Sequence, residues 1–127
     1  MSLSAWSPPF LSVLRIVSGL LFLEHGTGKF LGFPHLAQVP PAFSLPWYGG
    51  LLELFGGLLL VIGLFSRPVA LLLSGEMAVA YWAVHFPHSP FPAVNGGDAA
   101  ILYCFVFLYI AIAGPGPWSV DSGRDRS

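Results

Sequence analysis

The stretch WYGGLLELFGGLLLVIGLF, Trp47 to Phe65, decides how the rest of the chain is read. Nineteen residues hold a single charge, Glu53, and a helix of about 20 apolar residues crosses the roughly 30 Å hydrocarbon core of a bilayer. On a helical wheel Gly49, Gly50, Glu53, Gly56, Gly57 and Gly63 fall within an arc of roughly 140°. Leu51, Leu52, Leu54, Phe55, Leu58, Leu59 and Ile62 cover the remainder. One face is large and apolar, suited to lipid. The other is small and lets a neighbouring backbone approach closely. Glu53 projects from the small face toward a partner helix.

Three further apolar runs flank this one, from about Phe10 to Phe30, Pro68 to Phe86 and Asp98 to Gly114. The expected fold is therefore an all-α integral membrane protein, a single domain over residues 1–127 with a bundle of four transmembrane helices. Proline and glycine mark the joints. Pro34, Pro40, Pro41 and Pro46 break the first long connection; Pro87, Pro90, Pro92, Gly96 and Gly97 break the second. Ser66, Arg67 and Pro68 form a tight turn, and Gly114 to Pro117 end the last helix before a tail over residues 115–127. Both long connections are rich in proline and aromatic residues, and either lie along the membrane surface or fold over the bundle as a lid.

Composition agrees with a membrane protein and excludes several classes. Of 127 residues 9% are charged, against about 25% in a soluble domain, and mean hydropathy is +0.76. So few charges cannot clothe a soluble enzyme or a disordered chain, and there is no basic face for nucleic acid. The lone cysteine, Cys104, excludes a disulfide framework or a CxxC pair within one chain, and reads as a small apolar residue of the fourth helix. No HExxH or paired histidine at helical spacing points to a metal. Arg15, Arg67, Arg124 and Arg126 fall on one side of a four-span topology, with Lys29 the only strong base opposite. Both termini are thus expected in the cytoplasm, with the first helix retained rather than cleaved.

Function is sought in charges that these helices carry at a cost of about 2.5–3.5 kcal/mol each near the bilayer centre. Ser12, Arg15, Ser18, Gly19, Gly26 and Lys29 share a side of the first helix. Arg15 matches the depth of Glu76, so an Arg15–Glu76 ion pair is expected to hold the bundle together; an Arg15–Glu53 pair would need tilt or a bridging water. Glu24, His25, Lys29, Glu53, His85 and Asp98 fall near the outer end, as a candidate site for the polar head of a small amphipathic molecule. The glycine-rich segment His25 to Lys29 is expected to distort or end its helix. The third helix has polar residues on two sides, Glu76 on one and Ser74, Tyr81 and His85 on the other, so it is buried on both sides or it bends.

Across nearly its whole length the chain resembles the DoxX family of small four-helix membrane proteins. The matching residues are Arg15, Gly19, His25, Gly26 and Lys29; then Glu53 to Gly57, Gly63, Arg67, Met77, Ala80 and His85; then Gly96, Gly97, Asp98, Leu102 and Tyr103; and Gly114, Pro115, Gly116, Ser119 and Asp121. Asp98 stands where the family usually has glutamate, and Thr27 where tryptophan is common. The resemblance implies an inner-membrane component of a redox system, similar to DoxD-type subunits of a thiosulfate:quinone oxidoreductase, with a quinone as the implied ligand and a membrane or peripheral redox protein as partner. A non-catalytic scaffold, using its glycine faces against another protein or a second copy of itself, is the alternative. A small oligomeric transporter ranks third, because four helices without an inverted repeat offer little for alternating access.

Overall fold

A computed structural model describes residues 2–34 and 40–125. All regular structure among them is helical. Helix α1 spans Ser7–Leu31 and is preceded by a 3₁₀ turn, Leu3–Trp6. It starts before the expected Phe10, because Pro8 and Pro9 fall in its first turn, where a missing N–H breaks no helical hydrogen bond. Helix α2 is Leu45–Ile62. The Ser44 hydroxyl caps it by accepting from the Trp47 amide, 3.4 Å, and Gly63 closes it in the left-handed conformation at φ 75°. Helix α3 is Ser66–Ala80, and runs on without a break through a π-helical stretch, Tyr81–His85, and a 3₁₀ turn, Phe86–His88. A single short turn, α4 (Pro92–Asn95), leads to α5 (Asp98–Ala113), and α6 (Val120–Asp125) closes the described chain.

Three helical segments are long and apolar enough to cross a membrane: Leu3–Leu31, Leu45–Ile62 and Ser66–His88. The first, 29 residues, exceeds the hydrocarbon thickness by about two and a half turns, so it tilts or carries Trp6 out to the headgroups. The fourth apolar helix, α5, has 16 residues and spans only about 24 Å at about 1.5 Å per residue.

Helices α1 and α2 pack as one close pair and α3 and α5 as another, and α2 against α3 joins the pairs. The glycine face of α2 does what its sequence suggests. A Cβ added to Gly57 would lie 2.8 Å from the Leu23 amide nitrogen, and one on Gly26 would lie 2.5 Å from that of Leu54. The two backbones therefore meet with no room for a methyl group. Gly26 is buried by this contact, and Gly28 is buried as well. Contrary to the expected break, α1 stays helical through the glycine-rich segment, and ends only at Gly32. Phe55, Leu58 and Ile62 cover the outward side of α2. The core is filled by Phe22, Leu60, Leu73, Met77, Phe107 and Ile110, and Phe22 bridges α1 to α5 through ring contacts with Tyr103 and Phe107.

At one end of the bundle the segment after α5 folds back across α1, α2 and α3. Fully buried Arg15 gathers it in: Nε donates to the Leu60 carbonyl at 2.8 Å, Nη1 to that of Pro115 and Nη2 to that of Trp118 at 2.6 Å. The expected Arg15–Glu76 pair does not form, and neither does Arg15–Glu53. The C-terminus of α2 and the irregular segment after Gly114 offer carbonyl oxygens outside regular i→i−4 pairing, and the forked guanidinium reaches three of them, sharing Leu60 with the Gly63 amide and Pro115 with the Ser12 hydroxyl. Arg67 likewise donates to Ala111 and Ile112 at the end of α5. The Asp121 carboxylate accepts from the Phe65 and Ser66 amides, at 2.9 and 2.8 Å, and so caps α3. Burial raises the Asp121 pKa, but these hydrogen bonds and nearby Arg124 outweigh it and hold the group below its ordinary value. Arg126 lies outside the described residues.

Candidate functional site

At the opposite end of the bundle α1 finishes and α2 begins. Lys29 Nζ lies 2.6 Å from Glu53 Oε2, and the two side chains are 18% and 8% exposed. The two form an ion pair at hydrogen-bond distance. It links α1 to α2 across the glycine face, and its geometry follows from the residues around it. A Cβ on Gly50 would stand 2.9 Å from Lys29 Cδ and 2.8 Å from Phe30 Cε2. The bare backbone at Gly50 is thus what lets the lysine stem lie along α2 and reach one turn onward to Glu53.

Gly49 opens the other flank. A Cβ there would lie 3.0 Å from Glu76 Oε1, so the α3 carboxyl occupies the space that a side chain would fill. Glu76 Oε2 is buried and has no hydrogen-bond partner. The Gly49-Gly50 pair therefore admits a base from α1 on one side and an acid from α3 on the other, with Glu53 one helical turn beyond. Glu53 and Glu76 act on each other electrostatically, and Lys29 acts on both.

The six expected site residues separate into groups. Lys29 and Glu53 are in contact, and His25, exposed on α1, lies within electrostatic reach of Glu53. Glu24 is exposed on the outer side of α1 and acts electrostatically on Tyr103 of α5. His85 serves the second connection instead, with its Nδ1 3.2 Å from the Asn95 carbonyl oxygen and its ring stacked on Tyr81. Asp98 is exposed in the first turn of α5, where a negative charge suits the helix dipole. No described hydrogen bond or ion pair joins Glu24, His85 or Asp98 to the Lys29–Glu53 pair.

Two residues of this end were not expected in these roles. Glu76 belongs beside Glu53 rather than with Arg15. Asn95 organises the second connection: its Nδ2 donates to the Ser89 carbonyl at 2.9 Å and to the Tyr81 hydroxyl at 3.3 Å, and its Oδ1 accepts from the Gly97 amide at 2.8 Å. Helix α3 looks polar on two sides because it packs against both α2 and α5, with Glu76 at Gly49 of α2 and Ser74 donating to the Cys104 carbonyl of α5. Buried Tyr81 and half-buried His85, on the side away from Glu76 and within the π-helical stretch, face the Ser89–Gly97 loop. That connection is packed onto the end of α3. The other expected outer loop falls partly on residues 35–39, outside those described.

Open concavities lie by Leu3, Trp6, Ser7 and Phe10 and by Phe65, Arg67, Asp121 and Arg124, and neither touches the Lys29–Glu53–Glu76 group. Among the described residues no group of three or more His, Cys, Asp or Glu side chains is arranged to hold a metal ion.

The DoxX family model matches residues 10–86. An uncharacterized protein of Haemophilus influenzae is 40% identical over 127 residues, covering 95% of each chain. The inner membrane protein YqjF of Escherichia coli is 29% identical over 86% of this chain and 87% of its own. A Bacillus subtilis protein named "Putative oxidoreductase CatD" is 33% identical over 80% of this chain and 77% of its own. No solved structure matches the chain significantly.

Proposed function

Because this chain belongs to the DoxX family, we propose that it is a membrane subunit that binds a quinone or other amphipathic small molecule beside the Lys29–Glu53 pair and serves a membrane redox system. It sits in the inner membrane with α5 as a fourth, short span and both termini cytoplasmic, and a membrane or peripheral redox protein exchanges electrons with the bound molecule. The observation that carries this reading is the Lys29–Glu53 pair with Glu76 alongside it. An isolated ion pair that only fixed helix register would not need a second acid with an unpartnered buried oxygen. The names of the Escherichia coli and Bacillus subtilis relatives support the location and the redox setting.

In this reading Glu53 accepts a hydrogen bond or proton from the polar head, and Lys29 shares its ammonium between Glu53 and partial negative charge on the ligand. His85 and Asp98 shape the mouth of the site through the Ser89–Gly97 loop. The scaffold alternative is weakened by the glycines themselves: Gly19, Gly26, Gly56 and Gly57 all meet helices of the same chain.

The test is mass spectrometry of small molecules carried through gentle purification from the native membrane, with Glu53→Gln processed in parallel. Enrichment of a quinone or similar amphipath in wild type, and its loss from a folded variant, is the expected result. Equal recovery from both proteins overturns the reading.

A further inference from the structure

Three largely buried ionisable groups meet at the Gly49-Gly50 face, and their charges do not balance. Glu53 has Lys29 at 2.6 Å. Glu76, on the far side of α2's glycine pair, has no comparable partner. Its Oε1 rests against the Gly49 backbone and its Oε2 is buried with no hydrogen bond. One ammonium and two carboxylates would leave an uncompensated negative charge within the bundle, which a low-dielectric interior disfavours strongly.

The surroundings supply no second cation. On α1, Lys29 is already engaged by Glu53, and His25 is exposed. On α2, the only ionised neighbour is Glu53 itself. On α3, Ser74 is turned away and donates to the Cys104 carbonyl at 2.7 Å. Helix α5, packed on the other side of α3, contributes Tyr103 and Cys104, and its only charged residue is the exposed Asp98. Arg15, the base expected to neutralise Glu76, is bound to three carbonyl oxygens at the opposite end. Proton uptake by Glu76 is the remaining route to neutrality.

We propose that Glu76 is carried as a neutral carboxylic acid, a buried proton donor set one helix away from the Lys29–Glu53 pair. The cluster then has no net charge and holds one exchangeable proton. This suits an uncharged, hydrogen-bond-accepting polar head rather than a cation. The inference deepens the proposed site and rests on that reading only for its use, since the protonation state belongs to the resting protein and is read without a ligand.

The chain has three glutamates, Glu24, Glu53 and Glu76, which makes a direct measurement practicable. Protein grown with glutamate isotopically labelled at the side-chain carboxyl carbon is reconstituted in liposomes, and its infrared spectrum is taken at neutral pH. The expected result is one protonated carboxyl band, shifted by the label, absent from Glu76→Gln and retained in Glu24→Gln. Should Glu76→Gln not fold, Glu53→Asp keeps the ion pair while removing that residue's label, so a band surviving both Glu24→Gln and Glu53→Asp belongs to Glu76. A wild-type spectrum with every glutamate ionised overturns the proposal, as does a band that persists in folded Glu76→Gln. Loss of ligand from the native protein with the band intact would instead count against the ligand reading alone.

Discussion

The two ends of the bundle treat buried charge in opposite ways. At one end Arg15 is completely enclosed, and each of its three hydrogen-bonded nitrogens meets a backbone carbonyl. At the other, Lys29, Glu53 and Glu76 converge from three helices, and one carboxyl oxygen has no partner. A charge answered by fixed backbone dipoles has a single satisfied arrangement, which is what a structural fastening requires. A charge answered by other side chains, with one valence open, can change partners when a proton or ligand arrives. The difference separates scaffold from site more clearly than burial alone, since Arg15 is the more deeply buried.

Substitutions that exchange the two behaviours should test this contrast. Arg15→Ala is expected to have the largest effect, about 3–5 kcal/mol with hydrogen bonds to a charged group worth about 1.5–3 kcal/mol each, because three are lost together: the Trp118 carbonyl loses its donor, and the Leu60 and Pro115 carbonyls keep only the Gly63 amide at 3.2 Å and the Ser12 hydroxyl at 3.4 Å. Thermal or denaturant unfolding in detergent reads it, and a near-wild-type midpoint would remove Arg15 from its fastening role. Glu53→Gln should be milder, about 1–2 kcal/mol, because the amide oxygen still accepts from a partly exposed Lys29. Its principal effect should be loss of the co-purifying molecule. If Glu53→Gln destabilises as much as Arg15→Ala, the two ends do not differ as described.

The packing between the ends gives a smaller pair of effects. Gly57→Ala would place a methyl group 2.8 Å from the Leu23 amide nitrogen, with rigid backbone on both sides. It should cost about 1–3 kcal/mol, the range for overpacking. Gly75→Ala meets nothing within 4 Å on α3 and should be neutral or stabilising by up to about 1 kcal/mol through helix propensity. Comparing the two unfolding midpoints separates close approach from intrinsic preference.

A further small effect concerns pH. Asp121 has a folded pKa below its ordinary 3.8, so the unfolded chain binds the proton more readily. Its contribution is complete above that ordinary value and is lost as pH falls through the lower folded value. Asp121→Ala should cost about 1 kcal/mol near neutrality, as loss of a helix cap does. It should also flatten the acid limb of the stability profile. An unchanged acid limb would show that the cap contributes nothing measurable.

Much of this is legible in the chain. The glycine arc around Glu53 specifies both the lipid-facing side of α2 and its close contact with α1, because helical periodicity converts spacing directly into faces. The prolines set where helices can start and stop, although Pro8 and Pro9 open a helix rather than bar one. Pairing is not legible. Arg15 and Glu76 match in depth along their helices, yet depth ignores the backbone carbonyls that a folded-back tail brings to Arg15. His85 is expected at the level of Glu53, yet its ring meets the Asn95 carbonyl of the connection after α3, a partner that helical spacing does not reveal.

By itself, then, the sequence determined a membrane protein built from apolar helices, the small face of α2 and the identity of the costly charges, because composition and periodicity act locally along one helix. Only the tertiary structure decided which charge meets which partner. That choice depends on how three helices and a returning tail align, and on where a missing Cβ leaves room for Lys29 on one side of α2 and Glu76 on the other.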